Sequence, residues 1–264
     1  MSILSIDDYL ASKRALYVFR KTASRTAVAA NLFSNFDLAG FPGAGTLAGT
    51  STAAGVVPTD ATAGFPSIAD FDAGAKGYLS RVTFSSSVTG ILHLVDVVFK
   101  AGAYAYNANV TLSGQPSFAS RMPGGNDFRG NEIWLEAVTA FTGNQSIRIT
   151  YLDQDGNAGD TGVIATGVAP IVGRCFKMPL AAGDSGVQRI DSVISSVSTA
   201  GTFNVLVVRR LLSMRIPLAN FSDTWDLLKT GMPEVFQDSA IAVYVQPDST
   251  ATGLPDVLFE VAAK

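Results

Sequence analysis

Between Tyr78 and Tyr151 the sequence carries two pairs of long apolar runs, and they restrict the chain to a β fold. Residues 79–88 and 91–99 flank a short break at Thr89-Gly90. Residues 132–140 and 146–151 flank another around Gly143. Successive side chains of a strand point to opposite faces, so a period of two predicts which residues share a side. Ile133, Leu135 and Ala137 fall on one face, with Trp134, Glu136 and Val138 on the other. Ile147, Ile149 and Tyr151 turn inward while Arg148 and Thr150 turn out. Such alternation predicts antiparallel sheets with one face against another layer.

The 264 residues suffice for one large β domain or two smaller ones. Charged residues make up 16%, below the usual quarter or so, which leaves little charge to keep a free monomer soluble. Either neighbouring subunits cover much of the surface, or the faces are neutral and rich in Ser and Thr. With a net charge of -3, no basic field is present to neutralise phosphates, and direct binding of DNA or RNA is not expected. Cys175 is the only cysteine, so no disulfide forms within the chain, and Phe176 and Met178 beside it predict a buried thiol. No secretory signal pattern and no apolar run of membrane-spanning length is expected.

Ser5 and Asp8 form a capping-box pattern, and the spacing after them predicts a helix over residues 6–20, within an N-terminal segment 1–34. That helix would cap an open end of a β layer or dock on a neighbour. Lys13, Arg14, Tyr17, Arg20 and Lys21 on it are candidate assembly contacts. Residues 35–77 are punctuated by Gly and Pro, which argues against regular structure. Gly40-Phe41-Pro42 and Gly64-Phe65-Pro66 form a faint repeat there. The segment reads either as an extended arm anchored by its phenylalanines or as a linker, and Phe41 and Phe65 join the candidate contacts.

Residues 78–264 are expected to hold eight or more strands as an antiparallel β-sandwich, jelly-roll-like or of another type. Residues 171–178, 187–197, 202–214, 240–245 and 257–261 read as strands, with a turn at Thr199-Ala200-Gly201 and a short helix over 223–229. Tyr104 and Tyr106 precede a loop over 107–130 rich in Gly, Asn and Pro, and form a candidate ligand-binding rim.

Catalysis requires convergent groups that can exchange protons or bind a metal. The single histidine, His93, alternates with Ile91 and Val95 and reads as a sheet-face or core residue. Asp153-Gln154-Asp155-Gly156-Asn157 echoes a calcium loop, but its twelfth position is Ile164, so a hairpin turn explains it better. Glu132 and Glu136 lie ~13 Å apart on one strand, too far for a glycosidase pair. No nucleophile elbow, phosphate-cradling loop or dinucleotide loop is present. The reading is a non-enzyme without cofactor or metal.

The region from Gly77 onward resembles structural proteins of tailed-bacteriophage virions. The likeness sits in Gly143-Asn144-Gln145-Ser146 and in the stretch Thr150-Tyr151-Leu152-Asp153-Gln154-Asp155-Gly156-Asn157. It continues in Pro179-Leu180-Ala181-Ala182-Gly183-Asp184-Ser185-Gly186-Val187 and in Phe203-Asn204-Val205-Leu206-Val207-Val208-Arg209-Arg210-Leu211. The resemblance implies a non-enzymatic β protein of a capsid, neck, baseplate or tail. It implies self-association, contact with other virion proteins and residence in the virion. A receptor- or carbohydrate-binding module of a tail or baseplate, with Tyr104, Tyr106 and Trp134 meeting a host surface glycan, is the alternative.

Overall fold

The computed structural model describes residues 3–144, 146–167, 170–195 and 200–264. It is mainly β and antiparallel, a sandwich-like arrangement with little helix. In chain order the elements begin with α1 (Ile6–Leu10), β1 (Lys13–Lys21), β2 (Leu32–Ser34), β3 (Gly40–Phe41), β4 (Gly77–Ser86) and β5 (Gly90–Ala105). They continue with β6 (Val110–Thr111), β7 (Asn131–Thr139), β8 (Ser146–Asp153), β9 (Ala158–Asp160), β10 (Ile164–Ala165) and β11 (Arg174–Met178). The last are β12 (Val187–Ser195), β13 (Thr202–Ile216), β14 (Ser222–Trp225), α2 (Leu227–Thr230), β15 (Glu234–Val235), β16 (Ile241–Pro247) and β17 (Pro255–Ala263).

The centre is a closed ring of strands in the order β11-β2-β16-β5-β13-β7. One outer sheet runs β14-β4-β17-β1-β3, with β15 also on β4; a second runs β10-β8-β12-β6, with β9 on β8. The strands on either side of each sequence break therefore do not pair with each other. β4 lies in an outer sheet and β5 in the ring; β7 lies in the ring and β8 in the second outer sheet. β8 alternates as expected, with Ile147, Ile149 and Tyr151 buried and Arg148 exposed. β7 is covered on both sides. Ile133, Leu135 and Ala137 face the second outer sheet, and Trp134 fills the ring interior.

Three apolar clusters follow from this layering. Leu92, Leu94, Met214 and Ile216 meet Val82, Phe84 and Phe259 of the first outer sheet. Phe99, Phe203 and Val205 meet Ile149, Ile190 and Val193 of the second. Val95, Val97, Leu206, Val208 and Tyr244 fill the ring. The long strands β5 and β13 serve both outer sheets because their register shifts. Val207 sits opposite Phe99 and Val208 opposite Val97, so Val98 is an extra residue that exchanges the faces of β5.

The expected helix over 6–20 is corrected. Ser5 does cap a helix and accepts a hydrogen bond from the Asp8 amide, but that helix ends at Leu10. Residues 13–21 form a strand paired with β17 from Lys13↔Ala263 to Arg20↔Asp256. The run Ala15-Leu16-Tyr17-Val18-Phe19 is β-prone, and a full ladder with β17 outweighs the helical spacing. The first 34 residues thus supply a short helix and two strands rather than one long helix, and the sheets extend across the boundary expected at residue 78. The short helix expected over 223–229 is displaced to α2, capped by Asp226, although Gly231 does end it in the left-handed region. The end of the strand expected over 187–197, part of the Thr199-Ala200-Gly201 turn and Gln145 lie outside the described residues.

Residues 35–76 hold little regular structure and run over their own domain. A buried charge centre pins this arm. Asp96 on β5 pairs with Arg121 and with Arg209, and also accepts from Ser239 Oγ and the Ala240 amide. Arg121 reaches on to the Pro58 carbonyl in the arm, and Arg209 Nη2 to the Glu234 carbonyl at 2.7 Å. Burial pulls both guanidinium pKa values down to about 10, which leaves both charged at neutral pH.

Candidate functional site

The candidate site is a groove beside β1. β17 covers one edge of β1 along its length, whereas β3 pairs with the other edge only at Arg20 and Lys21. The Thr22 amide donates to the Ala39 carbonyl at 2.9 Å, which fixes the side to which even-numbered residues turn their backbone groups. The N–H and C=O groups of Arg14, Leu16 and Val18 therefore face the open edge. Among the described residues no strand or backbone hydrogen bond covers them there.

The arm forms the opposite wall. Its two Gly-Phe-Pro turns meet across a groove of about 720 Å³, with Leu16 and Val18 on one side and Phe41, Pro42, Phe65 and Pro66 on the other. Glycine is required where these turns approach their supports. A Cβ on Gly40, at φ +146°, would lie 2.2 Å from the Arg20 carbonyl oxygen. One on Gly64, at φ +102°, would lie 2.6 Å from the Phe36 ring. Phe36 and Phe65 pack with ring centres 4.6 Å apart, anchoring the second turn over the mouth of the ring. The first turn is held from below by Lys21, whose Nζ donates to the Leu38 and Pro42 carbonyls at 3.0 Å each. Burial pushes the Lys21 amine down to about 8.

The seven residues expected as assembly contacts separate into floor and rim. Tyr17, Lys21 and Phe65 are buried and structural. Tyr17 Oη accepts from the Ala69 amide at 2.8 Å and ties the arm to the strand, and burial, aided by Asp60, raises its pKa. Lys13, Arg14 and Arg20 are exposed: Lys13 pairs with Asp72, Arg20 with Asp256, and Arg14 stacks on Tyr9. Phe41 is 62% exposed at the groove rim. Leu16, 51% exposed, belongs to the same rim and was missed because the helical reading gave it no edge to lie on.

Tyr104 and Tyr106 form no ligand-binding rim. Both are buried in the cluster beneath the second outer sheet. Tyr104 Oη donates to the Thr52 carbonyl, and Tyr106 packs between Phe141 and Phe203. Trp134 is equally enclosed, edge-on to Tyr244 inside the ring. The alternation of Tyr104 and Tyr106 marked the end of a long strand, not a surface.

His93 is mostly buried, with Nδ1 2.9 Å from Ser213 Oγ, and burial lowers its pKa. Cys175 is a buried free thiol whose pKa burial raises. The Asp153 carboxylate accepts from the Asp155 and Asn157 amides at 2.8 Å, as a hairpin turn requires. No group of three or more His, Cys, Asp or Glu side chains that could hold a metal ion occurs among the described residues. None of the described helices is long and apolar enough to cross a membrane.

Neither a family model nor a curated protein matches the chain. Among solved structures, one of infectious bursal disease virus Gt strain aligns over 95% of this chain and 81% of its own, at 12% identity and TM-score 0.16. One of the Gx strain aligns over 96% and 80%, at 10% identity and TM-score 0.15. Likeness at that level carries no argument about architecture or role.

Proposed function

We propose that this protein is a non-enzymatic structural subunit of a virion of the tailed-bacteriophage type, assembling through contacts with its own copies and with other virion proteins. The observation that carries this reading is the open edge of β1, where Arg14, Leu16 and Val18 present unpaired backbone groups beside exposed Leu16 and Phe41. An uncovered strand edge flanked by apolar side chains is an association surface unless something blunts it. Covering Leu16 and Phe41 is worth roughly 1.5–3 kcal/mol for each side chain fully buried. The sequence resemblance to virion proteins supports the same reading. No cofactor, metal or direct contact with nucleic acid or membrane enters it. The burial of Tyr104, Tyr106 and Trp134 removes the basis for a glycan site at those residues.

Sedimentation velocity and electron microscopy of the purified protein over a wide concentration range test the proposal. Discrete multi-subunit species are expected. A chain that stays monomeric throughout and shows hydrolytic activity in a substrate screen would overturn it.

A further inference from the structure

The assembly reading leaves open what enters the groove, and α1 of a second copy has the required chemistry. α1 buries none of its residues. Leu4, Ile6 and Leu10 are 87%, 58% and 62% exposed, so three large apolar side chains in and beside one short element have no cover. Ile6 and Leu10 lie four positions apart and share a helix face. The element is held to its own sheet by polar contacts: Asp8 pairs with Lys264, and Tyr9 Oη donates to Glu260. Those contacts leave the apolar side chains projecting.

Charge favours this occupant at one pair. Among the described residues Asp7 in the first turn of α1 forms no ion pair, and Arg14, exposed on the same strand as Leu16 and Val18, has only the Tyr9 ring against it, whereas Asp8, Lys13 and Arg20 are paired within the chain. β3 already covers this edge at Arg20 and Lys21, so a second β1 strand would find only the outward backbone groups of Arg14, Leu16 and Val18 to pair with. The other edge of the same sheet is blunted, because the Asp223 carboxylate accepts from the Thr224 amide of β14.

We propose that Ile6 and Leu10 of one copy seat in the groove between β1 and the Phe41-Pro42 and Phe65-Pro66 turns of the next. Knob and groove are different surfaces of one chain, so the contact closes as a two-fold pair where two copies exchange α1 reciprocally and otherwise runs head-to-tail into rings or filaments. The inference rests on the assembly reading given above.

Two measurements on the full chain test it. A tagged Leu10→Cys protein is mixed with an untagged Phe41→Cys protein under mild oxidation; buried Cys175 stays out of the exchange. The mixed disulfide should dominate, whereas homodimers alone, or no cross-link, would overturn the proposal. Leu10→Asp and Leu16→Asp change exposed side chains, so folding should survive. Each should weaken self-association by roughly tenfold or more, and the double variant should lose less than the product of the two losses. If the wild type assembles and both variants assemble equally well, this contact is wrong while the assembly reading stands. Loss at Leu16 without loss at Leu10 assigns the groove to another occupant and overturns the proposal. A wild type that never assembles overturns both.

Discussion

The irregular arm is fixed at one place and left open at another, and the two places use charge in opposite ways. At Pro58 the arm is held by Arg121, whose partner Asp96 is fully buried among Arg209, Ser239 and the Ala240 amide. Between Phe41, which pairs with Arg20, and Phe65 it leaves a groove along Leu16 and Val18 of β1, with the nearby cations Lys13, Arg14 and Arg20 exposed. A buried ion pair contributes little net stability when whole, yet removing one partner strands an uncompensated charge. Exposed cations are cheap to keep and cheap to lose. The first region thus sets the arm's position, and the second is free to be spent on a neighbour.

The strongest way to break this contrast is Asp96→Ala. It should cost about 3–5 kcal/mol in denaturant unfolding, because Arg121 and Arg209 keep their charges without a carboxylate. A loss under about 1 kcal/mol would mean that the centre does not hold the arm. Lys21 gives a pH test of the groove floor. Its amine titrates near 8 in the fold and near 10.5 when unfolded, so between those values the unfolded chain binds the extra proton. Stability should therefore rise with pH across that window, by up to roughly 3 kcal/mol. Lys21→Met should abolish the rise; an unchanged pH profile would refute the assignment. Tyr17→Phe removes the acceptor of the Ala69 amide and should cost about 1 kcal/mol, read as a shift in the unfolding midpoint. Phe41→Ala should leave stability within about 0.5 kcal/mol yet weaken association. Equal loss of both would show that Phe41 supports the fold rather than a contact.

The β class was legible because Ile147, Ile149 and Tyr151 alternate with Arg148 and Thr150 over a half-buried sheet. The capping pattern at Ser5 and Asp8 was legible because it is a contact between near neighbours. Two things were not. Residues 13–21 satisfy helical and strand spacing alike, and the choice is made by β17, far away in sequence. Tyr104 and Tyr106 look like rim residues until the second outer sheet covers them. Strands β5 and β7 carry apolar residues on both faces, which predicts burial but not which layer lies on each side. The groove was partly legible in the Gly-Phe-Pro repeat, whose two copies face a common space although Phe41 and Phe65 are 24 positions apart.

The pairing of β1 with β17 has a further consequence for timing. Arg20 and Asp256, which face each other across those strands, are 236 positions apart. Contacts between remote segments form late, since the intervening chain must be ordered first. β1 precedes β17 in the chain and has no template until β17 has followed it. The open edge of β1 is therefore in place only once β17 has paired with it.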